Sequence, residues 1–258
     1  MPACNTPHAI TKRLAARDEL HKGYEDYTKN QFDDAYCHFL RATELDPSLL
    51  MAKRYLGFAL AQKVVPDLGT PENLAVARQA KTIFQQVLDK DPHDVNSMKQ
   101  IAAIEYSIIN LDEAREWQKR VLVEDAMDAE AAYTIGVIDW SQAHQNALKA
   151  LQASGLCDDG EGNAHAPPDV LSRIREQNTA LVEDGLRNLQ LAIANRPDYD
   201  DAMAYLDLLY RRKADLDFED PKARNQDVAV AGEWAQKAAE VHKANASKGA
   251  RDAGSPQR

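Results

Sequence analysis

Four short stretches decide how this chain is read: Ala42-Thr43-Glu44-Leu45-Asp46-Pro47, Val87-Leu88-Asp89-Lys90-Asp91-Pro92, Val121-Leu122-Val123-Glu124-Asp125-Ala126 and Ala192-Ile193-Ala194-Asn195-Arg196-Pro197. Each opens on a small or β-branched residue, and three of the four close on proline. Proline has no amide hydrogen and cannot continue a helix, so each stretch reads as a helix ending. Their last residues are spaced by 45, 34 and 71 positions. The middle spacing is a bare period, and the other two are that period plus an insertion.

The composition agrees with a helical repeat. The chain has 258 residues, with only 11 Gly and 11 Pro, and its many Ala, Leu, Glu and Lys residues favour helix. Several classes are excluded. No apolar run approaches the ~20 residues that a membrane-spanning helix needs. Three cysteines supply neither a disulfide framework nor a zinc knuckle. With 41 acidic and 31 basic side chains the net charge is -10. That balance argues against nucleic acid as a partner, because phosphate neutralisation needs clustered Lys and Arg.

A 34-residue period with this ending resembles the tetratricopeptide repeat. Gly23, Phe32, Ala35, Phe39, Ala42 and Pro47 match its pattern in the first repeat. Leu56-Gly57, Ala80, Phe84 and Pro92 follow in the second, then Leu111, Ala114 and Val121 in the third. Ile135-Gly136, Leu189, Ala192 and Pro197 match in the fourth, with Gly185 at the alanine position, and Leu206, Ala231 and Ala238 match in a weaker fifth. The resemblance implies an all-α fold: a right-handed solenoid of about five helix-turn-helix repeats over 14–245, at 14–47, 50–92, 95–126, 129–197 and 200–245. Insertions fall at 64–70, 142–169 and 214–222, inside repeats. The second is expected to be a helical hairpin projecting from repeat four. Residues 1–13 read as a flexible N-terminus and 246–258 as a disordered tail. The strings Tyr133-Thr134-Ile135-Gly136-Val137-Ile138-Asp139-Trp140 and Tyr199-Asp200-Asp201-Ala202-Met203-Ala204-Tyr205-Leu206 are similar to bacterial envelope tetratricopeptide proteins of the acidobacterial type. That likeness implies a shape and brings no activity with it.

In this family the first helix of each repeat lines a concave groove. The matching positions here include Tyr24, Tyr27, Arg54, Phe58, Lys99, Tyr106, Tyr133, Val137, Trp140, Leu208 and Arg211. The expectation is a non-catalytic protein-interaction scaffold, with the aromatics as apolar contacts for a peptide or helix. Arg54, Lys99 and Arg211 would supply polar selection. Alternatively, the repeat-four hairpin or the N-terminal segment covers these side chains. A second function stands beside the first: an envelope or periplasmic accessory protein holding a small or lipid-like ligand under that hairpin. The Lys/Asn/Arg clamp that family members use for chaperone C-termini falls here on Leu20, Tyr24, Tyr55, Asn96 and Gln100, so that partner is excluded.

Asp26, Glu105 and Asp139 recur at one position of the first helices. They are read as ion-paired to Arg54, Lys99 or Arg120, or simply exposed. The seven histidines are scattered and no Cys-x-x-Cys occurs, so no metal and no cofactor is expected. No nucleophile elbow or phosphate loop points to an enzyme. Cys37 reads as a packing residue and Cys157 as an exposed one. Met1-Pro2-Ala3-Cys4-Asn5 has no apolar stretch, so the chain as written reads as cytoplasmic. If translation starts upstream, Cys4 could be the lipid-bearing residue of an envelope-attached protein.

Overall fold

The structure is a computed structural model that describes residues 7–253, with side chains over 10–248. Cys4 lies outside the described residues. Among those residues the chain forms ten helices and no strand: α1 (Pro7–Thr28), α2 (Phe32–Leu45), α3 (Leu50–Ala61), α4 (Pro71–Leu88), α5 (Val95–Ser107), α6 (Leu111–Glu124), α7 (Ala129–Gln152), α8 (Pro168–Asn195), α9 (Asp200–Leu216) and α10 (Pro221–Ala253). Consecutive helices pair as five antiparallel hairpins, α1/α2 through α9/α10. The fold is all-α and built of helix-turn-helix repeats, as the period predicts. Two ends differ from the reading of composition. α1 begins at Pro7 rather than near residue 14, and α10 runs to Ala253, into the stretch read as a tail. The chain also divides into two compact units, Met1–Glu124 and Asp125–Arg258. They are called units 1 and 2 below.

Within each hairpin a small residue lets two helices cross closely. A Cβ at Gly23 would lie 2.6 Å from the Phe39 ring, and one at Gly57 would lie 2.8 Å from Phe84. Phe39 and Phe84 are fully buried. Around Phe39 the core of unit 1 gathers Ala35, Leu56 and Ala59, with Leu20, Tyr27, Tyr36, Tyr55 and Ile83 packed against it.

The segment before α4 is shaped by one side chain. Thr70 caps α4 by accepting from the Asn73 amide at 3.3 Å, and Pro71 opens the helix. Asn73 is buried and turns back into the loop. Its Oδ1 accepts from Val65 N at 2.8 Å, and its Nδ2 donates to Val65 O at 2.9 Å and Leu68 O at 2.7 Å. Asn73→Ala strips three hydrogen bonds that tie the loop backbone to a buried side chain and is expected to cost about 2 kcal/mol. Amide hydrogen exchange should show residues 64–69 losing protection first.

In unit 2 the α7/α8 hairpin is longer than the hairpins of unit 1. Its extension is packed: Ala143, Ala147, Ala150 and Leu151 from α7 are buried, as are Val170, Leu171 and Ile174 from α8. Asn178 joins the two arms. It donates to Ala143 O at 2.8 Å and accepts from Asn146 at 3.0 Å. The connecting loop is fastened to α9. Asn163 donates to Asp215 at 2.8 Å, Arg212 donates to Asp158 at 2.8 Å, and Arg175 of α8 donates to Leu216 O at 2.6 Å.

Candidate functional site

α1 and α3 present the same register toward one face of unit 1. On α1 the series is Leu20, Tyr24 and Tyr27; on α3 it is Met51, Tyr55 and Phe58. These spacings, four and then three residues, put each set on one side of its helix. Tyr55 is the hub. Its ring lies 5.6 Å from Tyr24 and 5.5 Å from Phe58, both edge-on, and 6.3 Å from Tyr27. Below, it stacks on buried Phe39 at 5.4 Å. Offset and edge-on pairs of this kind contribute beyond their buried area.

Two depressions adjoin on this face. One, of about 470 Å³, is lined by Tyr24, Tyr27, Tyr55 and Phe58 together with Thr28, Asn30 and Gln100. The other, of about 290 Å³, is lined by Arg17, Leu20, His21, Tyr24, Met51 and Tyr55. Tyr24 and Tyr55 are common to both. Tyr24 is 47% exposed and Met51 53%, so apolar surface here faces solvent. Polar tips edge it: Gln62 donates to the Tyr27 hydroxyl at 3.3 Å, and burial pushes that phenol above its ordinary range. Tyr106 on α5 is also exposed.

The cations expected to select a partner are engaged within the protein. Arg54 Nε lies 2.9 Å from buried Asp94 at the start of α5, an ion pair rather than an aligned hydrogen bond. Lys99 is half-buried and also has a partner inside the chain. Arg211 donates to Asp207 at 2.7 Å and to Gly160 O at 3.0 Å, which ties α9 to the α7–α8 loop. A helix position gives the direction of a side chain but not the neighbour that meets it, and this is why all three read as partner-facing.

On unit 2 the expected residues make a second aromatic cluster. Tyr133 lies 4.8 Å from Tyr199 and 5.7 Å from Tyr205. Trp140 stacks on His144 at 5.2 Å and meets Tyr205 edge-on at 5.3 Å. Tyr133, Trp140 and Leu208 are half-buried. Val137 is buried at 8% exposure, so it belongs to the core and not to a contact surface. The interior of the α7/α8 hairpin is filled by its own side chains.

Two of the acidic positions of the first helices pair with residues other than those expected, and the third is buried. Asp26 lies 3.6 Å from His38, Glu105 accepts from Lys81 and from Asn110 at 2.9 Å, and Asp139 is fully buried. Arg120 instead covers the Trp117 ring at 4.3 Å. Cys37 is exposed rather than packed, and Cys157 is exposed. Among the described residues no group of three His, Cys, Asp or Glu could hold a metal, and no helix is long and apolar enough to cross a membrane.

Paired helices at a 34-residue period, with small-against-large crossings in successive hairpins, define a tetratricopeptide-like fold. Solved structures agree with this. YrrB, described as a TPR protein with an unusual peptide-binding site, is similar over 92% of this chain and 95% of its own, at 13% identity and a TM-score of 0.55. MamA from Desulfovibrio magneticus RS-1 is similar over 89% of this chain and 96% of its own, at 16% identity and a TM-score of 0.59. At such identities the likeness is one of fold. No family model matches the chain, and no curated protein matches it.

Proposed function

We propose that this chain is a non-catalytic protein-interaction scaffold that takes a peptide or helix on the aromatic face of unit 1. The observation that carries this reading is the pair of adjoining depressions sharing Tyr24 and Tyr55. A partially exposed aromatic set on a rigid base suits an apolar anchor, because the rings are already ordered by Phe39 and Phe84 and lose little freedom on binding. Thr28, Asn30 and Gln100 provide hydrogen-bonding tips at the edge. YrrB's described peptide-binding site adds support by analogy of fold. Tyr24, Tyr27, Phe58 and Tyr106 are the proposed contacts on unit 1. Tyr133, Trp140 and Leu208 form a secondary set on unit 2.

The test uses Tyr24→Ala/Met51→Ala, because both side chains are exposed and their truncation spares the core. Peptides are first selected on the wild-type protein from a displayed library. The double variant is expected to lose roughly thirtyfold in affinity for apolar-anchored peptides, the scale of one aromatic hot spot. Its far-ultraviolet circular dichroism should not change. Equal affinity in both proteins, or a library that yields no binder, would sink the reading. Tyr133→Ala/Trp140→Ala is a poorer first test, since those rings hold α7 against Tyr199 and Tyr205 and their loss also loosens unit 2.

A further inference from the structure

The second helices of unit 1 carry a separate surface. A depression of about 430 Å³ lies between α2 and α4, and another of about 340 Å³ lies between α4 and α6. Arg78 and Thr82 line both, so the two meet across α4. Each has an apolar floor, Leu60 in the first and Ile101 in the second, both buried. Their side walls are aromatic. Tyr36 borders the first, with Lys63 Nζ 5.9 Å from its ring centre, and Trp117 borders the second, under Arg120.

Charge selects the occupant. Glu105 is the one carboxylate among the lining residues, and it is buried and held by Lys81 and Asn110. Arg78 is exposed, and among the described residues no hydrogen bond or ion pair engages its guanidinium. A free guanidinium between two apolar hollows is matched by a carboxylate arriving from outside. Geometry sets the spacing. The two depressions flank α4 and overlap along it, so a peptide that enters both crosses the helix, whose diameter with side chains is about 10–12 Å. In an extended peptide alternate side chains face one way about 7 Å apart, so the first, third and fifth cover about 14 Å.

We propose that this face docks an extended acidic peptide of a partner protein, whose third residue meets Arg78 while its first and fifth fill the two depressions. The recognised pattern is apolar-x-acidic-x-apolar. Neither Tyr24 nor Met51 lines this surface, so it stands or falls apart from the aromatic face.

The test selects a displayed library of random seven-residue peptides on the Tyr24→Ala/Met51→Ala protein, which keeps the α4 face and lacks the aromatic anchor. The expected enrichment is Asp or Glu flanked two residues away on both sides by Leu, Ile, Val or Phe. Adding Arg78→Gln to that protein should weaken the selected peptides about tenfold, the scale of one charge-assisted hydrogen bond, and make Glu and Gln versions bind alike. Peptides without the acidic preference, no enrichment at all, or a Glu-over-Gln preference that survives Arg78→Gln would overturn the proposal. The aromatic-face reading fails by a different result, namely equal wild-type and Tyr24→Ala/Met51→Ala affinity for peptides selected on the wild type.

Discussion

Arg212→Met should destabilise unit 2 by about 3 kcal/mol at pH 8, and by clearly less at pH 5. Arg212 is 3% exposed and stands between two carboxylates. Its Nη2 donates to Asp158 at 2.8 Å, and its Nη1 lies 3.1 Å from Asp215, close enough for charge but out of line for a directed bond. Asp215 is fully buried and also accepts from Asn163 at 2.8 Å. Methionine fills much of the same space but leaves Asp215 as a buried charge without its cation. Removing one member of a buried pair costs more than the pair contributes, because the survivor keeps its desolvation penalty. Urea denaturation followed by circular dichroism, with amide exchange read on α7 to α10, measures the loss. A change below about 1 kcal/mol at pH 8 would mean that the cluster is open to water.

The pH dependence follows from the same atoms. Burial pushes the Asp215 carboxyl up to about 6, while Arg212 and Asn163 hold it back and the charges of Asp158 and Asp159 raise it further. The unfolded chain keeps the ordinary value near 3.8. Between these two values the folded state binds more protons than the unfolded state, so Asp215 makes unit 2 more stable as pH falls from 7 toward 4. Asp158 has the opposite sign. Burial would raise it, but the hydrogen bond and charge of Arg212, with Asn163 and Gly160, outweigh burial and hold it below its ordinary value. Its contribution is present above 3.8 and is lost as pH falls further. Wild-type stability should therefore rise on mild acidification and fall below about pH 4. Asp215→Asn, which keeps an acceptor for Asn163, should flatten the rise and leave the fall.

The parts of this fold legible in the sequence are those written as local contrasts. Gly23 against Phe39 and Gly57 against Phe84 are small and large residues at matching repeat positions, 16 residues apart in the first repeat and 27 in the second, which carries an insertion, and their contact follows once the two helices pair. Helix breakers mark the ends: Pro71 after Thr70, and Pro168 after the loop. The Arg212 cluster was hidden because Asp158 and Asn163 meet α9 more than fifty residues later, and no period relates them. On the candidate site, Tyr24, Tyr27 and Phe58 were visible from helix position, and Tyr55 was seen only as a missing clamp residue. Its spacing from Met51 and Phe58 repeats that of Tyr24 from Leu20 and Tyr27, a signal that pairwise comparison of α1 and α3 would have found. Arg54 and Arg211 illustrate the limit. Their helix positions were clear, but their partners, Asp94 and Gly160 O, lie on other elements.

Gly136→Val should cost about 3 kcal/mol, although valine is the better residue for an ordinary helix. A Cβ at Gly136 would lie 2.5 Å from Leu189 Cγ, 2.7 Å from its Cδ2 and 3.3 Å from the Gly185 carbonyl oxygen. The Leu189 branch point sits close to its own backbone and is fully buried, so it cannot swing aside. Nor can α8 retreat, because the facing position is tight as well. A Cβ at Gly185 would meet Leu209 at 2.7 Å and the Asp139 Cβ at 3.1 Å. α7, α8 and α9 are thus in register through two glycines, and any added carbon must separate at least one pair. Gly232, in the middle of α10, is the control: a Cβ there meets nothing within 4 Å. Gly232→Ala should stabilise by up to about 1 kcal/mol through helix propensity alone. If thermal melts show both substitutions raising stability, propensity rather than close crossing governs the α7/α8 contact.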